Sequence, residues 1–142
     1  MKKFLSIILC VIISTLSFCG CSANGLTVTF EDGSTSEMSA EEIIELKETN
    51  GRKYKNISSI SGSGTITDIT LGDYSICELE LGDNFKIVIY ENWSQPISTE
   101  EWHTFCEQFY TGDKIVFKES YNHFMSYNKL CVAVDYKNVS IV

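Results

Sequence analysis

The chain has 142 residues, enough for one domain and not comfortably two. It carries 19 acidic residues against 11 basic ones, for a net charge of −8, and its single arginine is Arg52. This balance argues against a nucleic-acid binder, because lysine and arginine neutralising phosphates supply most of that affinity.

Lys2 and Lys3 precede an apolar run from Phe4 to Phe18. A bilayer crossing takes about 20 apolar residues, so the run is too short to span. It fits the apolar stretch of a secretory signal, with the two lysines as its basic start. The run ends Phe18-Cys19-Gly20-Cys21. This border resembles the lipobox of bacterial lipoproteins: Cys21 matches the modified cysteine and Gly20 the small residue before it. Phe18 stands where leucine is usual, and Cys19 where another small residue is usual. The resemblance implies cleavage before Cys21 and a diacylglyceryl thioether on its sulfur, with palmitate-type chains. Two acyl chains suffice for stable anchoring. The expected organisation is a signal peptide at 1–20, a tether at 21–25 and a single domain at 26–142, held on the outer face of the cell membrane. Loss of Lys2 and Lys3 leaves nine basic residues against 19 acidic ones. Such a domain is repelled by anionic lipid, so the acyl anchor alone is expected to hold it there.

The alternating, β-branched Leu26–Phe30 reads as a strand, turned by Glu31-Asp32-Gly33-Ser34. Ser39 with Glu42 forms a capping box for a helix from Ala40 to Thr49, which Asn50-Gly51 ends. Ile57–Thr70 reads as one long strand in which Gly62 and Gly64 suit a bulge or bend. Tyr74–Leu81 alternates, with Cys77, Leu79 and Leu81 on one face and Glu78 and Glu80 on the other. Gly82-Asp83-Asn84 turns into Phe85–Glu91. After a loop containing Trp93 and Pro96, Ser98 and Glu101 form a second capping box. Trp102, Phe105, Cys106 and Phe109 then make an inward helical stripe. Lys114–Ser120 is a strand, Tyr121–Asn128 an aromatic loop, and Lys129–Tyr136 a strand with Leu130, Val132, Val134 and Tyr136 on one face. Asn138–Val142 is a short apolar tail with strand character.

The expected class is therefore mostly β with helices (β+α). After a short strand and an N-terminal helix, the order β-β-β-α-β-β is that of an OB-fold, a five-stranded Greek-key barrel with a helix between strands three and four. A glycine bend in the first barrel strand lets it serve both sheets of such a barrel. The stretches "SAEEIIELKETNGRKYKNISSISGSGTITDI" and "FCEQFYTGDKIVFKES" resemble the tRNA-anticodon-binding-like OB-fold modules found in small bacterial lipoproteins. Tyr54-Lys55, Gly64, Ile66 and Asp68-Ile69 match one motif of that family, and Gly112-Asp113-Lys114-Ile115-Val116 matches another. Glu119 stands where a glycine usually closes the second motif. The resemblance covers about Met38 to Val142 and implies fold and location more than activity.

No catalytic constellation emerges. His103 sits on a helix surface, Cys106 faces inward, and neither Cys106 nor Cys131 has a base at a supporting position. The carboxylate pairs Glu41-Glu42 and Glu100-Glu101 belong to helix starts. Asp32, Asp73, Asp83 and Asp113 are turn residues without EF-hand spacing, and neither a metal site nor a cofactor is implied. With Cys10 and Cys19 in the signal and Cys21 lipidated, Cys77, Cys106 and Cys131 remain. They read as three small buried thiols, with one disulfide as the other reading. The candidate ligand-binding residues are Tyr121, His123, Phe124 and Tyr127, joined by Trp93. Aromatic planes there either stack on a sugar or dock into a protein partner, or else pack down as a lid. The expected function is a non-catalytic, lipid-anchored binding module for a surface protein or a glycan. The alternative is a small interference or immunity lipoprotein, for example one that excludes phage by blocking a membrane process.

Overall fold

The computed structural model describes residues 25–49, 56–72, 76–91 and 95–142. The expected signal peptide, Cys21, Tyr54-Lys55, the Asp73 turn and Trp93 lie outside the described residues.

Strand β1 (Leu26–Phe30) buries Leu26 and Val28 completely and leaves Thr27, Thr29 and Phe30 half-buried. It pairs antiparallel with β2 (Thr35–Met38). The sequence gives no apolar alternation over Thr35–Glu37, and these three residues are exposed on a sheet edge. Helix α1 (Ala40–Thr49) starts as its capping box dictates. Glu42 N–H donates to Ser39 Oγ at 3.2 Å, and Ser39 N–H donates to Glu42 Oε2 at 2.7 Å. Ala40 and Ile43 are buried beneath the helix.

The expected long strand at 57–70 is two strands, β3 (Ile57–Thr65) and β4 (Asp68–Gly72). At the break, successive backbone donors leave in different directions: Ile66 N–H donates to Asp113 O at 2.9 Å, and Thr67 N–H to Glu80 O at 2.8 Å. One run of chain thus passes from one sheet to the other. Strands β5 (Ile76–Glu80) and β6 (Phe85–Tyr90) follow, then helix α2 (Thr99–Cys106). Its capping box is complete at Ser98 and Glu101. The remaining strands are β7 (Lys114–Ser120), β8 (Asn122–Ser126), β9 (Lys129–Asp135) and, after a 3-10 turn at Tyr136–Asn138, β10 (Val139–Ile141).

The chain is mostly β, as its sequence leads one to expect. The first sheet has the order β10-β7-β3-β1-β2 and the second β4-β5-β6-β9-β8. Two open sheets of five strands therefore stand where a single closed five-stranded barrel was expected. Among the described residues, β7 and β9 share no strand ladder. Their nearest link is the Ser120 hydroxyl, which donates to the Ala133 carbonyl. Every pair is antiparallel except β6 with β9. A parallel pair needs a long crossover, and here the connection carries α2, β7 and β8.

The inward faces of both sheets meet in one core. Phe85 of the second sheet and Phe117 of the first lie with ring centroids 6.2 Å apart. Trp102 and Cys106 of α2 and Phe109 just beyond it are buried, so the inward stripe is present. Phe105 is half-buried and meets the Tyr136 ring edge-on at 5.5 Å. Of the described helices, none is long and apolar enough to cross a membrane.

Candidate functional site

In the second sheet, alternation sends Cys77, Leu79, Ile87, Ile89, Val132 and Val134 into the core. Their neighbours in sequence must then form the outer face. Register sets them in rows across the strands. One row runs Glu80–Lys86–Cys131–Phe124, and the next runs Glu78–Val88–Ala133–Asn122. Two ion pairs tie the face together, Lys86 Nζ to Glu78 Oε2 at 2.8 Å and Lys129 Nζ to Glu80 Oε2 at 2.7 Å. The hydrogen bond that Lys86 donates to Glu78 holds its ammonium above the usual lysine range, partly offset by burial. Lys86 thus carries a fixed positive charge matched by its neighbour. Cys131 is fully buried on this side, between Lys86 and Phe124 in its row, and burial pushes its thiol up.

The aromatic segment that reads as a loop is β8, the edge strand of this sheet. Ser126 pairs with Lys129, which leaves a two-residue turn at Tyr127-Asn128. Both turn residues have positive φ, 50° and 62°, as a type I′ hairpin requires. Asparagine suits that region. A bulky tyrosine does not, and strain of this kind concentrates at functional positions. Tyr127 is 99% exposed, so nothing in its own fold holds the ring there.

The expected site residues do not converge as one loop cluster. Phe124 is exposed on the outer face, in register with Cys131. Tyr127 stands at the hairpin tip, and exposed Tyr121 precedes the other end of β8. His123 faces the opposite way, in register with buried Val132, as Met125 does with Leu130. Phe124 and His123 therefore lie on opposite sides of the sheet, and the exposed aromatics are splayed along an edge. They do not form a lid.

Beside Tyr121, at the seam between β7 and β9, lies a cavity of about 240 Å³. Tyr90, Glu119, Tyr121, Asn122, Asp135 and Asn138 line it. The Tyr121 hydroxyl donates to Glu119 Oε2 at 3.2 Å. Tyr90, Asn122 and Asp135 are also outward positions of their strands, so the cavity adjoins the outer face. Its lining offers hydroxyl, amide and carboxylate groups and no cation. It suits a neutral hydroxylated ligand better than an anion. A larger cavity, about 430 Å³, lies elsewhere beside the β1–β2 turn, against Phe30, Asp32 and Leu46. Asp32 is already engaged there by the Ser34 hydroxyl at 2.6 Å.

Val88 and Tyr90 belong to the face but were not singled out from sequence. The available signal was an apolar and an aromatic residue at the outward positions of a strand whose inward positions were already filled. Among the described residues, no three His, Cys, Asp or Glu side chains converge to hold a metal ion.

Burial pushes the His123 pKa down from its ordinary value. The folded state therefore favours neutral imidazole, whereas the unfolded chain takes up a proton near pH 6.5. Stability from this group is fully present above that pH and is lost as pH falls through it toward the lower folded value. The melting temperature is expected to drop between pH 7.5 and about pH 5.5, and less so in His123→Gln. Equal drops in both proteins would reject the assignment.

No protein-family model matches the chain, and no curated protein matches it.

Proposed function

We propose that this chain is a lipid-anchored, extracytoplasmic binding module of OB-fold type, without catalytic activity, that engages a surface protein or a glycan. The reading rests on one observation above the rest. The outer face of β5, β6, β9 and β8 is paired in charge, presents Val88, Tyr90 and Phe124, and ends in a strained, fully exposed Tyr127. Aromatic residues at such a face give large contact area at low entropic cost. In OB-folds the corresponding strands two and three form the usual ligand face.

The OB-fold assignment draws support from the run β3–β4, which serves both sheets, and from α2 between the third and fourth barrel strands. In this reading β1, β2, β8 and β10 are additions to the barrel. The non-catalytic reading draws support from the thiols: burial pushes Cys77 up to about 12 and raises Cys106 and Cys131, so none is a ready nucleophile. Anchoring draws support from the lipobox-like Cys21.

Two measurements test the proposal. Metabolic acyl labelling should mark the wild-type chain and not Cys21→Ser, and label retained in the variant removes the anchor. For the face, the full chain displayed on cells is probed with neutral oligosaccharides and by crosslinking to neighbouring surface proteins. The pair Phe124→Ala with Tyr127→Asn should abolish capture with little change in melting temperature, since asparagine tolerates the turn conformation. Undiminished capture by the pair would falsify the face as the site.

A further inference from the structure

Strand direction places Gly25, Tyr127 and Val142 at one end of the fold. In the first sheet, β1 starts where β2 and β3 finish, since Leu26 pairs with Met38 and with Gly62. Strand β7 starts there too, with Lys114 opposite Thr65, and Val142 N–H donates to Lys114 O at 2.9 Å. In the second sheet, β4, β6 and β9 start where β5 and β8 finish. Asp68 pairs with Glu80, Glu80 with Lys86, Lys86 with Cys131 and Cys131 with Phe124. Two links bring the ends of the sheets together. One is the crossing at Ile66-Thr67, bonded to Asp113 on one side and Glu80 on the other. The other is the start of α1, just beyond Met38. There Glu41 Oε1 accepts from Asn84 Nδ2 at 3.5 Å, and Glu41, Asn84 and Asn128 line one small cavity.

This end carries exposed apolar side chains: Tyr110, Tyr127, Ile141 and Val142. Tyr110 stays beside the crossing because its N–H donates to Asp113 Oδ2 at 2.9 Å. Tyr127 sits at the hairpin tip with positive φ. The chain leads back from exposed Gly25 to Cys21 at the same end. Residues 21–25 reach at most about 18 Å when fully extended. An anchor on Cys21 therefore keeps this end close to the bilayer.

We propose that the end bearing Tyr110, Tyr127, Ile141 and Val142 rests in the headgroup layer of the membrane that holds Cys21, so that the domain stands upright on the bilayer. The inference rests on the anchored reading above. Tyrosine suits the headgroup layer, where its ring meets apolar carbon while its hydroxyl stays in water. Little intrinsic affinity is needed, because the anchor makes the contact intramolecular and raises the effective concentration of lipid. Glu41, Asp83 and Asp113 share this end with Lys114. The surface it fits therefore has zwitterionic rather than anionic headgroups. The same carboxylates would face each other if two copies met end to end. In this posture β8 runs away from the bilayer. Its five residues rise about 17 Å, which lifts Tyr121 and its cavity clear of the lipid. Phe124, midway along the strand, stays open to a partner at the side.

Photocrosslinking of the full chain tests this. The variants Tyr110→benzoylphenylalanine, Tyr127→benzoylphenylalanine and Tyr121→benzoylphenylalanine are purified in detergent, reconstituted into phosphatidylcholine vesicles, recovered by flotation and irradiated. Mass spectrometry reads what each position has joined. The expected result is a phospholipid adduct at positions 110 and 127 and its loss at 121. Floated chain with no lipid adduct at 110 or 127, or with equal adduct at all three positions, overturns the proposal and leaves the anchor standing. An adduct to a second copy of the chain in place of lipid also overturns it, and makes this end a contact between copies. Chain that fails to float, or a Cys21→Ser chain that floats equally well, removes the anchored reading and the proposal with it.

Discussion

Phe85→Ala should destabilise the protein by about 3–5 kcal/mol, the range for emptying a buried aromatic site. Phe85 opens β6 in the second sheet, is 1% exposed, and meets Phe117 of the first sheet. It thus stands where the two layers touch. The Phe117 ring has β10 and β3 on its own flanks, where Val139 and Gly62 are its register partners. That backbone framework cannot collapse far into the vacated volume, so the cavity contribution remains. Urea unfolding followed by circular dichroism measures the loss. Phe124→Ala is the internal comparison: its ring is exposed on the outer face, and its loss should be under about 1 kcal/mol. Equal losses from the two variants would mean that the sheets do not pack through Phe85.

Gly62→Ala should cost about 1–3 kcal/mol even though it adds a single methyl group. The residue lies in β3 opposite Leu26, and a Cβ there would fall 2.7 Å from Leu26 Cδ2 and 2.8 Å from the Gly25 carbonyl oxygen. Leu26 is fully buried, so its side chain has no free volume to retreat into. The carbonyl is backbone and moves only with the strand. Between Ile60 and Gly62 the register against β7 also slips. The missing side chain therefore serves a bulge at which two strands crowd one residue. Melting of Gly62→Ala beside Gly33→Ala separates this from a general effect of glycine. Gly33 has positive φ and open space, so its cost is conformational rather than steric. A Gly62→Ala protein as stable as wild type would show that the strands can part there without penalty.

Both variants probe features of unequal visibility in the sequence. The bulge at Gly62 was legible because a glycine inside an alternating strand has few other uses. Both capping boxes were legible because the motif acts over three residues of chain. Strand β8 was not. Its inward positions are His123 and Met125 and its outward positions Asn122, Phe124 and Ser126, so the usual apolar alternation is obscured by a half-buried histidine and an exposed phenylalanine. The same obscuring split the expected site. Tyr121, Phe124 and Tyr127 lie exposed along one segment, but His123 shares that segment and not its surface.

What the sequence alone determined is local. Alternation assigned the inward residues of β5 and β9, the Ser39 and Ser98 caps began the helices, and the acidic balance set the character of the surface. These features follow from periods of two and 3.6 residues and from contacts within one turn, which a linear chain displays directly. The tertiary structure decided which strands share a sheet. It also decided that one run crosses at Ile66-Thr67 between sheets, and that Cys77 and Cys106 share the inner core while Cys131 lies on the other side of its sheet. Those outcomes depend on register between residues far apart in sequence. A shift of one residue reverses every side chain of a strand, and no local pattern specifies which distant partner supplies the matching hydrogen bonds.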